Sequence, residues 1–416
     1  MNDSAEVTLG QIASLITKGT TPTTLGRSFT SDGVNFVKVE SISDDGYILR
    51  DRLAHIDSDT HDLLARSQIQ EGDILFSIAG AIGRTTHVKA SLLPANTNQA
   101  LAVIRIDESA AYPRYVYYYL RSQVFQQHGL ERVVQTAQAN VSLAVLRAAP
   151  IVLPPRTTQR AIADSLSAFD DLIDNNRRQI ALLEQMAQAM YREWFVHFRY
   201  PGHEDDELVD SPLGPIPAGW SLTPLGELGS VVTDSVDPSA IEPETPAVGL
   251  EHIPRHSLTL AEWGRARDLA SRKTRFSAGD VLFGKIRPYF HKVCVAPMDG
   301  IASTDAIVVR PRQERCGLVT MTMFSDDFVA HAVTTSSGTK MPRADWKVLR
   351  EWLVPIPPDA TLSAFEEAVA SAVDSCNALA FQCRALAELR DLLLPKLVTG
   401  AIDVSKLDLD VLLEVA

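Results

Sequence analysis

The chain has 416 residues, of which 45% are hydrophobic, with a mean hydropathy near zero and a formal net charge of −13. This length suggests two to four domains, and the composition argues against disorder. The four cysteines lack CxxC spacing, no apolar run approaches the ~18 residues of a membrane span, and no signal peptide is visible. We therefore expect a reduced, cytoplasmic protein with no disulfide framework, zinc site or membrane association.

The first half opens with short β-type runs between turn residues. These runs cover residues 36–42, 73–79 and 100–106, where Val, Ile and Phe alternate with Gly, Asp and Pro punctuation. The tyrosines of residues 112–119 fit one apolar helix face better than a platform for stacking bases. This stretch closes on Pro154-Pro155, a pair that cannot continue a helix or a central strand.

Long helices follow each half. From residue 162 to 194, apolar residues recur in alternating steps of 4 and 3, the heptad pattern of a coiled coil, and residues 365–393 repeat it with only Arg390 breaking the run. These two helices should pair with each other. Asn176 at a seam position either fixes the register or faces solvent or a partner. Residues 201–220, rich in Pro, Gly and acid, are predicted to be a linker.

An internal repeat relates the two halves. GDILF at 72–76 returns as GDVLF at 279–283, and from residue 122 onward the halves align without a gap at an offset of 203. Pro154-Pro155 then matches Pro357-Pro358. Such agreement along the chain indicates a tandem duplication.

Charge is uneven along the chain. A net charge of −13 argues against DNA binding by bulk electrostatics. However, the stretch from Arg255 to Arg350 holds 16 basic and 9 acidic residues. Contact with DNA would therefore have to come from local clusters.

Several segments together resemble the specificity subunits of type I restriction–modification systems. They are GDVLFGKIRPYFHKVCVAPMDGIASTDAIVVRP (279–311), SGTKMPRADW (337–346), KGTTP (18–22), NTNQA (96–100), YREWFVHF (191–198), LREWLVPIPP (349–358) and LLLPKLVTGAI (392–402). The resemblance implies an α+β fold, in which two α/β target-recognition domains are separated by a pair of long antiparallel helices (a coiled coil) in a tandem pseudo-two-fold repeat. The expected parts are target-recognition domains at 1–155 and 221–358, long helices at 156–200 and 359–396, a linker at 201–220 and a tail at 397–416.

The resemblance also implies a non-catalytic subunit that recognises a bipartite site in double-stranded DNA. Two methyltransferase subunits would grip the helices, especially residues 191–198 and 392–402, and restriction/translocase subunits would complete the complex. The chain itself would hold no cofactor, whereas its partners would use S-adenosylmethionine, and ATP with Mg for restriction. Two other classes stay open, a stand-alone coiled-coil DNA-binding or architectural protein and an enzyme with an unrecognised site.

Candidate DNA-binding residues are cations and amides near strand ends and loops. Lys and Arg neutralise phosphates, Arg also reads guanine, and Asn and Gln suit adenine. In the first half they are Lys18, Arg27, Lys38, Arg84, Asn96, Asn98, Gln99, Gln138 and Asn140. In the second half they are Lys285, Arg287, Tyr289, His291, Lys292, Lys340 and Arg343. Because the loop sequences differ, we expect the halves to prefer different half-sites.

Competing motifs are weak. GDVLFGKI (279–286) resembles a phosphate-binding loop, but Ile286 stands where Ser or Thr must bind the metal, and DVLF is predicted to be a strand. Glu251, His252 and His256 do not spell the HExxH of a metalloprotease, and Pro254 would break its helix. The four cysteines are expected to be core or seam residues.

Overall fold

The computed structural model describes residues 4–126, 141–338 and 340–415. These residues divide into two compact units, one formed by residues 1–173 and 385–416 and the other by residues 174–384. Each of the two long helices thus gives one segment to each unit. Among the described residues, no helix combines the length and the apolar composition that crossing a bilayer requires.

The chain mixes short strands with two long helices. The strands are β1 (Ala5–Thr8), β2 (Ala13–Lys18), β3 (Val34–Val37), β4 (Ala54–Ile56), β5 (Ile74–Ser77), β6 (Thr85–His87), β7 (Ala95–Thr97), β8 (Leu101–Ile106), β9 (Pro150–Leu153), β10 (Leu208–Val209), β11 (Ile216–Pro217), β12 (Ser221–Pro224), β13 (Gly229–Val231), β14 (Ser235–Val236), β15 (Pro246–Val248), β16 (Gly264–Arg265), β17 (Lys273–Phe276), β18 (Val281–Gly284), β19 (Val293–Val295), β20 (Gly300–Ala302), β21 (Ala306–Pro311) and β22 (Leu353–Ile356). The helices are α1 (Leu9–Ile12), α2 (Ser58–Leu63), α3 (Pro113–Arg121), α4 (Leu143–Ala148), α5 (Arg156–Tyr191), α6 (Leu225–Leu228), α7 (Cys316–Phe324), α8 (Asp326–Thr334), α9 (Trp346–Leu349), α10 (Asp359–Val398) and α11 (Leu409–Val415). Both α5 and α10 begin directly after a Pro-Pro pair, because the N–H that proline lacks has no partner within the helix at its start.

In the first unit, β2, β8, β5 and β6 form an antiparallel sheet in that order. A second sheet has the order β4-β3-β7, with β3 and β7 parallel, and β1 pairs with β9. The strands predicted within residues 73–79 and 100–106 are confirmed as β5 and β8. The run at 36–42 remains a strand only to Val37, after which the backbone turns into a short 3-10 helix.

The antiparallel sheet of the first unit lies between two apolar cores. Ile74 and Phe76 of β5 pack into the core that contains α3 and α5, whereas Leu75 packs into the opposite core with β3 and β7. This alternation follows from the period of two along a strand. The tyrosines of α3 fill the first core, and Tyr115 and Tyr118 are almost completely buried. The run packs as a helix rather than as a stacking platform, but residues 115–120 are all buried, so more than the one predicted face is covered.

A buried ion pair joins α5 and α10 within the first unit. Arg390, with no exposed surface, donates from Nη1 to Asp170 Oδ1 at 2.5 Å and from Nε to Asp391 at 2.9 Å. The hydroxyls of Tyr47 and Tyr118 donate to Asp170 at 3.0 and 2.6 Å. The apparent break in the apolar stripe is therefore the centre of a polar network inside the core.

In the second unit, β13, β21, β18 and β19 form an antiparallel sheet in that order. The other sheet has the order β14-β17-β20-β15-β16, with β15 and β20 parallel, and β12 pairs with β22. Val281 and Phe283 of β18 face the helical core, and Leu282 faces the opposite one. The strand orders β2-β8-β5-β6 and β13-β21-β18-β19 thus correspond, as do β4-β3-β7 and β16-β15-β20.

Within the second unit, the segments of α5 and α10 run antiparallel. Asn176 donates to Gln382 Oε1 at 2.8 Å, and the Cys376 thiol lies 3.8 Å from the carbonyl oxygen of Ile180. Asn176 is 2% exposed. The alternative of a solvated Asn176 is therefore wrong, and its side chain instead links the two helices.

Two carboxylates of the long helices hold loops of the second unit. Glu184 of α5 accepts from the backbone N–H groups of Leu258 and Thr259 at 2.8 and 2.9 Å. Burial raises the pKa of Glu184 in spite of these donors. Glu366 of α10 accepts from the N–H groups of Gly317 and Leu318 at 2.6 and 2.9 Å, at the start of α7.

Two segments differ from their sequence-based description. The stretch 201–220 contains the β10–β11 pair, and its residues Ile216 and Trp220 are buried beside Phe195. Composition alone did not reveal these apolar anchors among the Pro, Gly and acidic residues. Cys316 is exposed at the start of α7, so the expectation that all four cysteines lie in the core or the helix seam is wrong for this residue.

Candidate nucleic-acid interface

The loop between β18 and β19 carries most of the second-half candidates. The N–H of Gly284 donates to the carbonyl of Lys292 at 2.8 Å and closes the loop over the intervening residues. A Cβ added to Gly284 would lie 3.0 Å from the Cβ of Lys292, so a larger side chain would crowd this closure. Arg287 begins the tip with a φ of 52°, a left-handed conformation that is uncommon for a residue with a side chain.

A second segment, residues 340–344, pairs with this loop through its backbone. The N–H of Arg287 donates to the carbonyl of Pro342 at 2.8 Å, and the N–H of Ala344 donates to the carbonyl of Lys285 at 2.9 Å. Two groups of candidates more than 50 residues apart in sequence therefore form one surface. We call these paired segments, 285–290 and 340–344, the basic loop pair.

The basic loop pair displays most of its candidate side chains to solvent. Arg287, Tyr289, Lys340 and Arg343 are exposed, and Lys285 is half-buried. The Arg343 guanidinium lies 3.9 Å from a carboxylate oxygen of Asp305. Exposed guanidinium and ammonium groups can neutralise phosphates or bond guanine edges, and an exposed phenol ring can stack on a base. The arrangement is thus suited to a nucleic acid.

Two candidates of the same loop face inward, in contrast to the prediction that they face DNA. His291 is 4% exposed, and its Nε2 lies 2.9 Å from the carbonyl oxygen of Phe324. The Lys292 ammonium donates to the carbonyl of Leu250. A left-handed backbone at His291, with a φ of 49°, turns its ring into the interior. Sequence spacing did not predict this turn.

Arg255 is a cation at this surface that sequence reasoning missed. Its exposed guanidinium carbon lies 4.1 Å from the ring centroid of Phe290, at the end of the loop tip. Arg255 comes from a different loop, so only its place at the edge of the basic stretch signalled a role. The stacked guanidinium adds positive charge beside Tyr289.

A smaller polar cluster forms in the first unit at the end of β2. The backbone of Gly19 approaches residue 97 so closely that an added Cβ would lie 1.9 Å from the carbonyl oxygen of Thr97. The Thr21 hydroxyl donates to Gln99 Oε1. Lys18, at the end of β2, therefore lies beside the turn that carries Gln99, and both are exposed.

Arg27 and Asn98 belong to the same two segments. The N–H of Arg27 donates to the carbonyl of Pro22 at 3.1 Å, which closes the turn after β2, and the Arg27 side chain is exposed. Asn98 is half-buried, and its Oδ1 accepts from the N–H of Ala100 at 3.1 Å. The structure therefore brings together four of the first-half candidates.

The remaining first-half candidates are engaged within the protein. The Lys38 ammonium lies 4.2 Å from the ring centroid of Phe29, and Arg84 Nε donates to Asp44 at 2.6 Å. Asn96 is completely buried and donates to a backbone carbonyl, so it does not reach the surface as predicted. A polar residue in β7 gives no sign in the sequence of which face it occupies. Gln138 and Asn140 lie outside the described residues.

The local structure of the competing motifs differs from that of a phosphate-binding loop or a metalloprotease helix. Val281–Gly284 is strand β18, as predicted, and the Lys285 backbone pairs with residues 305 and 344 rather than opening a phosphate-binding loop onto a helix. Residues 251–256 contain no helix, so a metalloprotease HExxH arrangement is absent there.

Comparison with known proteins gives a consistent result. Residues 1–185 match a family model described as the type I restriction modification DNA specificity domain. The specificity subunit of the type I restriction enzyme MjaIX from Methanocaldococcus jannaschii is 24% identical over 349 residues, which cover 81% of this chain and 79% of that protein. The EcoDI specificity subunit from Escherichia coli is 25% identical over 233 residues, or 50% of this chain and 51% of that protein. The type I restriction–modification S subunit from M. genitalium shares the fold, with a TM-score of 0.53 at 15% identity over 95% of this chain and 97% of that one.

Proposed function

Since the chain carries a type I restriction–modification DNA specificity domain over residues 1–185 and is related to type I specificity subunits along most of its length, we propose that it selects the DNA site of a type I restriction–modification complex. In this proposal the chain is non-catalytic. Its two halves are tandem copies that recognise the two parts of a bipartite site, and its long helices form a coiled coil between them.

The observation that carries the proposal is the basic loop pair on a sheet whose strand order has a counterpart in the other unit. Each unit supplies its own exposed polar cluster. The first has Lys18, Arg27 and Gln99, and the second has Arg287 and Arg343. The different side chains of the two clusters favour two half-sites of different sequence, because base identity is read by the donor and acceptor pattern of the side chains.

The long helices expose apolar side chains that are suited to contact a partner subunit. Leu182 and Met186 of α5 are 59% and 67% exposed, one turn apart, and Leu392 of α10 is 61% exposed. Tyr191 and Phe195, expected to contact a partner, are buried inside the second unit. We assign Leu182 and Met186 to a methyltransferase subunit, which would bring S-adenosylmethionine. A restriction/translocase subunit would bring ATP with Mg.

The proposal is tested by co-expressing the chain with its methyltransferase subunit and sequencing the host's methylated bases. We expect one methylated motif with two specified parts. Replacing Arg27 and Gln99 with alanine should relax one part only, and replacing Arg287 should relax the other, because a lost base contact costs about 1–3 kcal/mol at one position. Methylation that is independent of the chain, or relaxation of the same part by both variants, contradicts the proposal. A stand-alone architectural protein would bind DNA tightly without changing methylation, and an enzyme would show turnover alone.

Lysine substitution of both Leu182 and Met186 should abolish co-elution of the methyltransferase subunit in gel filtration. Burying two ammonium groups in an apolar interface is costly unless they are paired. The matched control replaces Leu208 and Leu213, which are also exposed but do not belong to α5 or α10. Equal co-elution of the two variants would show that the partner binds elsewhere.

A further inference from the structure

Three side chains of the second unit converge behind the basic loop pair. His256, His291 and Asp326 each offer one ligand atom, and these atoms all lie within 4.8 Å of one another. They come from three separate segments: the loop after β15, the loop after β18 and the start of α8. Each residue is unremarkable in the sequence, where they are up to 70 positions apart.

The hydrogen bond of His291 fixes which of its nitrogens is available. Nε2 lies 2.9 Å from the carbonyl oxygen of Phe324, so Nε2 carries the proton and donates it. Nδ1 therefore presents a lone pair to Asp326 Oδ1, at a distance of 3.5 Å. A metal cation can bridge this nitrogen and the carboxylate oxygen.

The distances suit a metal ion. Zinc binds imidazole nitrogen and carboxylate oxygen at about 2.0–2.2 Å, so two ligand atoms of a tetrahedral ion lie roughly 3.4 Å apart. The separation of His291 Nδ1 and Asp326 Oδ1 is 3.5 Å. The rings of His256 and His291 have centroids 4.4 Å apart, and the backbone N–H of His256 donates to the backbone carbonyl of His291 at 3.0 Å. The ligand nitrogen of His256 lies within 4.8 Å of the other two ligand atoms, so a side-chain movement would complete the site.

The surroundings hold the ligands in place. Metal-bound histidines usually donate their second ring N–H to a carbonyl or carboxylate, as His291 does to Phe324. Glu184 grips residues 258 and 259, directly after the His256 loop. Both histidines have a left-handed backbone, with φ values of 51° and 49°, a strain that clusters at functional and ligand-binding sites.

We propose that His256, His291 and Asp326 bind a divalent transition-metal ion of the Zn²⁺ or Co²⁺ class. Two imidazoles and one carboxylate favour such ions over Mg²⁺ and Ca²⁺, which prefer oxygen ligands. His256 and Asp326 are exposed, so the remaining coordination positions face solvent. The ion ties the loop that carries Arg287 and Tyr289 to α8 and stiffens the tip of the basic loop pair.

The experiment uses the untagged full chain, dialysed against a chelator and then titrated with Co²⁺ and Zn²⁺. We expect one equivalent of metal per chain to be retained through gel filtration, with visible absorption bands of tetrahedral or five-coordinate Co²⁺ that disappear on addition of Zn²⁺. His256→Ala and Asp326→Asn should each weaken binding at least tenfold, since even changes to residues that only hydrogen-bond a metal ligand cost about 10–100-fold. Both replaced side chains are exposed, so circular dichroism should show an unchanged fold.

Asp327→Asn is the matched control. Asp327 follows Asp326 on the same helix and is also exposed, but it lies outside the cluster. This variant should bind metal like the unmodified chain. Equal losses for Asp326→Asn and Asp327→Asn, or no retained metal in the unmodified chain, would overturn the proposal. Neither result bears on the proposed role in DNA recognition, because the readout is metal uptake.

Discussion

Replacing both Arg287 and Arg343 with alanine should weaken DNA binding by the assembled complex at least ~30-fold. An arginine that bonds a base contributes about 1–3 kcal/mol, and each 1.4 kcal/mol is a factor of ten in affinity. If either residue contacts a phosphate instead, the slope of log affinity against log salt should fall by about one unit for that residue. The measurement is fluorescence anisotropy of a labelled duplex at several salt concentrations.

The backbone geometry keeps this experiment interpretable. Main-chain hydrogen bonds hold the basic loop pair, and alanine forms them as arginine does. The control replaces Arg267 and Arg272 of the same unit, which pair with Glu244 and Ser235, and changes the net charge equally. If both double variants lose the same affinity, only the total charge matters and the basic loop pair is not the reading surface.

Replacing Arg390 with methionine is expected to lower the free energy of unfolding of the first unit by about 3–5 kcal/mol. Removing one partner of a buried ion pair leaves the other charge without compensation. Here that charge is Asp170, whose remaining donors are the hydroxyls of Tyr47 and Tyr118. Hydrogen exchange of α3 and of the start of α5 would report the loss, and Arg178→Met, an exposed change on α5, should leave exchange unaltered.

The same variant should show an altered pH dependence. Burial works to raise the pKa of Asp170, but the charges of Arg390 and Arg121 hold that pKa below its ordinary value. Stability from this carboxylate is therefore present above the unfolded-state pKa and is lost as pH falls through the folded-state pKa. Without Arg390, burial dominates and the folded pKa rises. The loss in free energy of unfolding caused by Arg390→Met should then be largest near neutral pH and become smaller in acid. A constant deficit at all pH values would mean that lost packing, not the unpaired charge, causes the effect.

The second unit suggests the compensating change. At the repeat offset of 203, Asp170 corresponds to Val373 and Arg390 to Ala187, and both of these line a small apolar cleft between the helix segments. Adding Asp170→Val to Arg390→Met should therefore restore much of the lost stability, because an apolar pair often replaces a buried ion pair without loss. No recovery would indicate that the tyrosine hydroxyls need the carboxylate.

Local pattern predicted the regular elements well. β5, β8 and β18 are β-branched or aromatic runs between Gly and Pro signals, and α5 and α10 begin where a Pro-Pro pair ends an extended segment. The tyrosines of α3 form a continuous apolar run, and they are buried as expected. These features depend on residues close in sequence, which is why periodicity reveals them.

The site depended on contacts that periodicity does not encode. The pairing of Arg287 with Pro342 is a backbone contact between distant segments, and Arg255 joins them by stacking on Phe290. In sequence, His291 and Asn96 resemble other polar loop residues, yet both are buried. A local turn points His291 inward, and Asn96 lies on the inner face of a strand. Arg390 was visible only as a gap in an apolar stripe, since its partner Asp170 lies on another helix.

The way the basic loop pair is held has a consequence for how its recognition can diverge. Its shape rests on backbone N–H and C=O groups. Every residue supplies the C=O, and every residue except proline supplies the N–H, so the displayed side chains are nearly independent of the scaffold. Variation at Lys285 or Arg343 can therefore alter which bases are preferred at little expense in folding stability. Position 287 is the exception. Its φ of 52° favours Gly, Asn or Asp and disfavours β-branched residues. Amino-acid replacements at this position should therefore reflect backbone preference as well as the DNA sequence that is recognised.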